Sequence, residues 1–374
     1  MANLSEYKCP ACGAPMEFDS QTQKMKCPFC DTTMSIEDYN TQVKKETGET
    51  EAAVEEKIEM ESTDGFEYWS ASETAGMKVY SCQSCGGEIV ADETIGATTC
   101  PYCGNNVVMK GQFAGDLKPN FVIPFKKDKK QAKEAYYKHL EGRFFLPRIF
   151  KDANHIDEIK GVYVPFWLYD ASATGDVTYA ATRVHTSKTE TATSETTHTT
   201  TEYFQLNRSG VVTFEKVPAD GSTKMDDDLM DSVEPFDFKE LVPFSPAYLA
   251  GYLAERYDLT AEETLKRAKD RIMHSTDAKF SETTNGGYST VNLTSKNINI
   301  RNTKTYYCLL PVWILNTTWE GKQFIFAMNG QTGKIVGDLP CDEAEYKKYI
   351  RNRGLITSAI IFGIIWLLLM FKLI

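Results

Sequence analysis

The chain has 374 residues, 42% of them hydrophobic, a formal net charge of −11 and ten cysteines. Its length exceeds one typical domain, and the acidic balance disfavours nucleic acid as a partner, because such binders carry a basic stripe. Eight cysteines fall in four Cys-x2-Cys pairs, which is metal arithmetic rather than a disulfide framework and points to a reducing cytosol.

Met1 to Tyr7 is polar, with no charged n-region before an apolar run, so no signal peptide is expected. Residues 1–39 form a first zinc ribbon. Cys9, Cys12, Cys27 and Cys30 stand in a Cys-x2-Cys-x14-Cys-x2-Cys frame. Residues 40–70 read as an acidic flexible linker. Eight acidic residues and one base, Lys57, lie between Glu46 and Asp64, and such a stretch buries too little surface to offset the entropy of ordering it. Residues 71–112 form a second zinc ribbon, with Cys82, Cys85, Cys100 and Cys103 in the same frame.

Zinc takes four ligands in a tetrahedron, with Zn–S near ~2.3 Å, and a Cys-x2-Cys turn aims two sulfurs at one point. Gly13, Gly86 and Gly104 suit the left-handed turn after Cys12, Cys85 and Cys103, and Asp31 takes that place after Cys30. Tyr7, Phe18 and Phe29 in the first module, and Tyr80, Ile89 and Tyr102 in the second, can form small cores. About thirty residues hold too little apolar surface to fold by burial alone, so metal supplies folding free energy. A thioredoxin-like redox pair would need βαβ surroundings, and the spacing departs from ferredoxin patterns. Two structural zinc ions are therefore expected. Closed cysteine quartets leave no open position for catalysis.

Residues 113–345 read as an α+β body. Lys127–Leu140, Ala247–Tyr257 and Ala261–Ile272 are predicted helices, the last with Thr260 as N-cap. Val177–Val184, Thr196–Leu206, Val211–Val217 and Thr290–Ile300 are predicted strands, with a turn at Asn207–Gly210. The threonine-dense stretch Thr186–Thr201 fits an exposed hairpin. Lys224–Asp231 fits a solvated acidic loop, since it lacks the EF-hand pattern. Val164-Pro-Phe-Trp-Leu-Tyr169 matches Leu310-Pro-Val-Trp-Ile-Leu315 at an offset of 146, with Gly175 matching Gly321. Each copy reads as a strand, a glycine turn and a second strand. Ile123-Pro-Phe125 and Val242-Pro-Phe244 stand upstream of helical stretches. A duplicated helix/β-hairpin unit follows. Trp167 and Trp313 are expected in its core. Gly330–Lys334 imitates a phosphate loop but lacks its full length, and a hairpin turn is expected. The five histidines are scattered, Cys308 and Cys341 stand alone, and no catalytic role is assigned, so the chain is not expected to be an enzyme.

Residues 346–354 are a basic juxtamembrane segment and 355–374 a transmembrane tail anchor. Leu355–Phe371 carries seventeen residues without a charge, about 26 Å of helix. Lys347, Lys348, Arg351 and Arg353 precede it, so the positive-inside bias keeps the bulk of the chain in the cytoplasm, with a single pass through the cell membrane.

Gly161–Val177 and Leu309–Pro340, between cysteine ribbons and an apolar helix, resemble a bacterial family of membrane-anchored zinc-ribbon proteins of the transcription-factor-IIB type. The resemblance covers nearly the whole chain, and its Pro-x-Trp and FAMNGQTGK stretches are specific. Some relatives look like companions of flotillin-like (SPFH-domain) and phage-shock-protein-A-like proteins, and there they recruit the SPFH protein to the membrane in envelope stress. The resemblance implies an adaptor with a protein partner of that kind. This chain has two ribbons where such relatives have one, which leaves room for a different partner. Similar clamps on a flexible tether would allow bivalent capture. The alternative is a membrane-tethered accessory protein that touches nucleic acid through its ribbons.

Overall fold

The structure, a computed structural model, describes residues 8–47, 66–69, 77–92, 99–112, 117–191 and 194–370. Most of the predicted acidic linker, residues 48–65 and Ser70, lies outside them, as does Tyr7. The first module forms β1 (Glu17–Asp19), β2 (Lys24–Lys26) and β3 (Thr33–Met34), followed by helix α1 (Ile36–Thr47). The second forms β4 (Met77–Cys82), β5 (Glu88–Asp92) and β6 (Val107–Gln112). The body opens with β7 (Phe121–Val122), helix α2 (Lys129–His139) and the hairpin β8 (Lys160–Thr191) and β9 (Ser194–Asp220). Helix α3 (Asp227–Val233), β10 (Val242–Pro243), β11 (Leu253–Glu255) and helix α4 (Ala261–Glu282) follow. The hairpin β12 (Thr290–Trp319) and β13 (Lys322–Asn329), then β14 (Ile335–Val336), complete the sheet, and helix α5 spans Glu343–Met370.

β1–β3 form one sheet. The other strands form a large mixed sheet in the order β10-β7-β12-β8-β11-β5-β4-β6, with β9 on β8, β13 on β12 and β14 on β13. At its centre β8 and β12 run antiparallel. Tyr163, Trp167, Trp313 and Leu315 point to one layer, and Val162, Val164, Leu310 and Val312 to the other, all buried. Burial on both faces explains why these segments are almost continuously apolar rather than alternating. Cys308 belongs to the second layer, where burial pushes its thiol well up.

Val164 and Leu310, the matched starts of the two Pro-x-Trp segments, face each other in this ladder. A local two-fold relation follows. The unit β7-α2-β8-β9 and the unit β11-α4-β12-β13 are exchanged, and each first strand pairs in parallel with the long strand of the other unit, Phe121 with Cys308 and Leu253 with Val162. The contacts repeat as well. Trp313 Nε1 donates to Lys127 O at 2.8 Å, and Trp167 Nε1 donates to Leu259 O at 2.8 Å. Both accepting carbonyls precede a capping box, Asp128 with Gln131 at α2 and Thr260 with Glu263 at α4. Gly221 N donates to Pro165 O as Gly330 N does to Pro311 O.

Several local expectations change. Val242-Pro-Phe244 is not the counterpart of Ile123-Pro-Phe125, because Val242–Pro243 is an edge strand on β7. The counterpart is Glu255-Arg-Tyr257, where Tyr257 packs on Trp167 as Phe125 packs on Trp313, at 5.5 and 5.3 Å. The predicted helix Ala247–Tyr257 is a 3-10 turn, Pro246–Leu249, then β11, because Gly251 takes φ +90° and breaks the run. Asn207–Gly210 is no turn, since these residues pair across from Thr178 to Gly175. Gly175 is likewise mid-strand, and its missing Cβ makes room for the Phe280 ring, 2.5 Å from where that atom would sit. Only the second copy turns at its matched glycine, Gly321, at φ +75°. Lys224–Asp231 is not a solvated loop either. Asp226 caps α3, and Arg267 and Arg271 of α4 pair with Asp227, Asp231 and Glu234.

Beyond the core, β12, β8 and β9 continue as a blade with α4 across one face, through Ile272 and Phe280. At ~3.3 Å per residue β8 reaches about 100 Å. Among the described residues, Arg183–Thr191 pairs with Ser194–Glu202 and with no other strand, and most of the threonine-dense stretch lies in this part of the hairpin. Gly330–Lys334 is a turn, with Gly333 at φ +83° and β14 after it.

Because each tryptophan satisfies a carbonyl beneath a helix start, Trp167→Phe and Trp313→Phe should each cost about 1–3 kcal/mol. Chemical denaturation should show losses of similar size in both variants, and a negligible loss in either would contradict the matched roles.

Candidate metal centres

Each Cys-x2-Cys pair ends in the same turn. Gly13 N donates to Cys9 O, Asp31 N to Cys27 O, Gly86 N to Cys82 O and Gly104 N to Cys100 O, at 2.8 to 3.0 Å. The residue after the second cysteine is left-handed in every case, at φ +70°, +57°, +71° and +71°. Only Asp31 pays the cost of a Cβ there, and Asp tolerates this conformation better than most residues. A further amide bond, from Cys9 N to Ala14 O and its equivalents, closes each turn at 2.7 to 2.9 Å.

The turns bring the eight predicted ligands together in two groups. Cys9, Cys12, Cys27 and Cys30 hold their sulfurs within 4.8 Å of one another, and so do Cys82, Cys85, Cys100 and Cys103. The closest pairs are 3.5 Å (Cys9–Cys30) and 3.4 Å (Cys82–Cys103). A disulfide needs about 2.05 Å, whereas four sulfurs at ~2.3 Å from a tetrahedral centre lie about 3.8 Å apart. Both groups could hold a metal ion. The thiols compete for charge. Cys30 is pulled down to about 6 by the Thr32 hydroxyl, while Cys12, which the Ala14 amide would lower, is pushed up to about 12 by Cys30 and the other thiols. A bound metal would require all four to be thiolates.

The two clusters sit differently. In the first, Cys9 and Cys27 are buried but Cys12 and Cys30 are exposed. Phe18 is buried and stacks edge-on against Tyr248, but Phe29 is not the core residue expected and stands 73% exposed at the tip of its turn. The module rests on the body through Phe18 N to Ala250 O and Gln23 Nε2 to Phe125 O, at 3.0 and 2.8 Å. The second cluster is built into the body. β5 pairs with β11 at Val90–Ala254 and Ile89–Glu255. Asn316 and Gln323 donate to the carbonyls of Tyr102 and Cys103, and Lys160 donates to Thr99 O. Both modules are therefore seated rather than hanging free.

Three residues that the cysteine pattern does not reveal join the second cluster to the body. Tyr102, between Cys100 and Cys103, donates to Glu255 Oε2 at 2.6 Å, and Ser222 donates to Glu255 Oε1 at 2.6 Å. Glu255 is fully buried, and desolvation pushes its carboxyl up to about 7. Asp220 lies nearby with Oδ2 lacking a hydrogen-bond partner among the described residues, and burial pushes it up to about 8. The matched position in the other unit is Asn329, whose amide donates to Val233 O and Pro235 O. No sequence signal separates these acids from surface carboxylates.

Elsewhere a groove of about 1090 Å³ opens between Trp167, Tyr257, Phe244 and Lys304. At the far end, α5 is long and apolar enough to cross a membrane, with none of its apolar window buried in the protein.

Purified protein should carry two metal ions per chain by elemental analysis. Cys82→Ser/Cys85→Ser should cost the body several kcal/mol, because its sheet includes that cluster. Cys9→Ser/Cys12→Ser should lower the melting temperature by only about 2–4 °C. Equal effects would contradict the different seating of the two modules. A raised carboxyl holds a proton in the folded state that the unfolded chain has released, so stability falls as pH rises between the two values. Asp220→Asn should therefore stabilise the protein more at pH 8 than at pH 6, by about 1–2 kcal/mol. A pH-independent difference would place Asp220 in contact with water.

No family model and no solved structure matches the chain. It is 36% identical over 310 residues to Uncharacterized protein YdjG of Bacillus subtilis (strain 168), an alignment covering 70% of this chain and 89% of that protein. A likeness of that extent takes in nearly all of the relative, and the chain belongs to the YdjG family.

Proposed function

We propose that the protein is a membrane-anchored adaptor in which both cysteine clusters hold zinc as zinc ribbons. In this reading α5 crosses the cell membrane once, with the remainder in the cytoplasm, because Lys347, Lys348, Arg351 and Arg353 precede its apolar run. The second ribbon staples the body, and the first presents the gripping surface. The observation that carries this reading is the unequal seating of the clusters. Phe29 stands 73% exposed beside two exposed ligands, Cys12 and Cys30, while Cys82, Cys100 and Cys103 are buried. An exposed aromatic on a metal-rigidified turn loses little entropy when a partner covers it, which is how an anchor residue works. By resemblance the partner is an SPFH/flotillin-like or phage-shock-protein-A-like assembly. Seating both ribbons on one body replaces tethered bivalent capture with a single rigid contact.

The test is co-purification of the SPFH-domain protein with the full chain from detergent-solubilised, nuclease-treated membranes. Phe29→Ala and Cys9→Ser/Cys12→Ser should lower recovery about tenfold or more, while the chain stays in the membrane fraction. Recovery unchanged in both variants would overturn the role of the first ribbon. Binding lost to nuclease alone would favour the nucleic-acid alternative.

A further inference from the structure

The loop between α2 and β8 lies against the base of α5. Phe145 packs edge-on against Tyr346 and Tyr349, both at 5.2 Å, and Asp342 N donates to Phe145 O at 2.7 Å. From inside, Leu146 and Phe150 are buried, and Phe150 packs against Phe324 and Phe326 at 5.5 and 6.3 Å. The loop is thus held on two sides and presents a fixed outer face. On that face Phe144 is 85% exposed and Ile149 38%, flanked by exposed Arg143, Arg148 and Lys151. Burial of its inner residues explains the loop's shape, but nothing among the described residues covers Phe144.

Charge separates this end from the rest. Lys138–Lys151 and Asp342–Arg353 together carry eight Lys and Arg against four Asp and Glu, in a chain of net charge −11. Distance decides what they can reach. Tyr349, which touches the loop, is six residues before Leu355, the first of the apolar run. That is about 9 Å along a helix, close to the Debye length of ~8 Å at physiological salt. Extended Arg and Phe side chains span much of the remaining gap.

We propose that residues 141–151 form a second, peripheral membrane contact beside the anchor. Phe144 enters the boundary between headgroups and acyl chains, and Arg143 and Arg148 bind anionic phospholipid headgroups. The occupant is a lipid surface because the loop packs on the base of α5, next to its apolar run, and its charge is opposite to that of anionic lipid. The inference rests on α5 crossing the membrane. Its consequence is orientation. One helix alone lets the body swing, and a loop contact fixes which face of the sheet points away from the bilayer.

The test is hydrogen exchange of the full chain in lipid nanodiscs of phosphatidylcholine alone, or of an equal mixture with phosphatidylglycerol. Amides of residues 141–151 should exchange about threefold or more slowly in the anionic discs. High salt should erase that difference. Arg143→Gln/Phe144→Ser/Arg148→Gln, which changes only exposed side chains, should lose it too. Equal exchange in both discs, with residues 355–367 protected, would overturn the loop contact and leave the anchor standing. Residues 355–367 exchanging freely, with the chain extracted by carbonate, would overturn the anchor and this inference with it. A lipid effect that survives both salt and the triple variant would exclude the loop as its cause.

Discussion

The structure depends on one ladder, the antiparallel pairing of β8 with β12 across the point where Val164 meets Leu310. Backbone hydrogen bonds set its register, and double-sided burial makes that register costly to change. A slip by one residue would exchange the two layers and move Trp167 and Trp313 to the wrong face. Each tryptophan then closes a circuit between units, since its indole bonds the carbonyl just before the helix of the other unit. Neither unit holds its own first strand, so neither completes its sheet alone. The duplication is therefore a mutual dependence rather than two domains in series.

The cysteine modules extend this logic with a different force. Each is too small to fold by burial, and its turns aim sulfurs at a common centre. Once formed, one module adds strands to the main sheet while the other docks through a few amide and aromatic contacts. The same Cys-x2-Cys-x14-Cys-x2-Cys text thus serves two mechanical roles. What separates them is the surroundings. Tyr102 at the tip of the second module meets a buried carboxylate, whereas Phe29 at the equivalent place in the first meets solvent.

Charge is distributed with similar economy. The chain is acidic overall, at −11, while residues 138–151 and 342–353, where α5 leaves the body, carry eight Lys and Arg against four Asp and Glu. The buried acids Asp220 and Glu255 lie where the second cluster joins the duplicated unit; Glu255 is satisfied by Tyr102 and Ser222, while Asp220 keeps one oxygen without a partner among the described residues. In the matched half Asn329 accepts from the amide two residues on, as Asp220 does, and adds donations to Val233 O and Pro235 O without a titratable proton. The two halves have kept their backbone bonds while diverging in the polar chemistry at their junctions.

The two four-cysteine groups that could hold metal were legible in the sequence because the spacing that brings such sulfurs together is local. Two residues between cysteines set a turn, and fourteen between pairs set a hairpin. The apolar run of α5 and the cap Thr260 were legible for the same reason, whereas Asp128, read as part of its helix, proves to be its cap. The Pro-x-Trp repeat was visible as text, but its meaning was not, because only the folded sheet sets residue 164 against residue 310. Tertiary packing also overrode local preference. Asn207–Gly210 has turn chemistry, yet a neighbouring strand satisfies its backbone. Ala247–Tyr257 has helical spacing, yet Gly251 and the edge of β8 make its second half a strand. The sequence alone determined where metal could sit and where a membrane could be crossed, since both follow from composition over short spans. Which cluster is buried, which is exposed, and which loop lies beside the anchor are decided by contacts between residues more than a hundred positions apart, and only the fold brings those together.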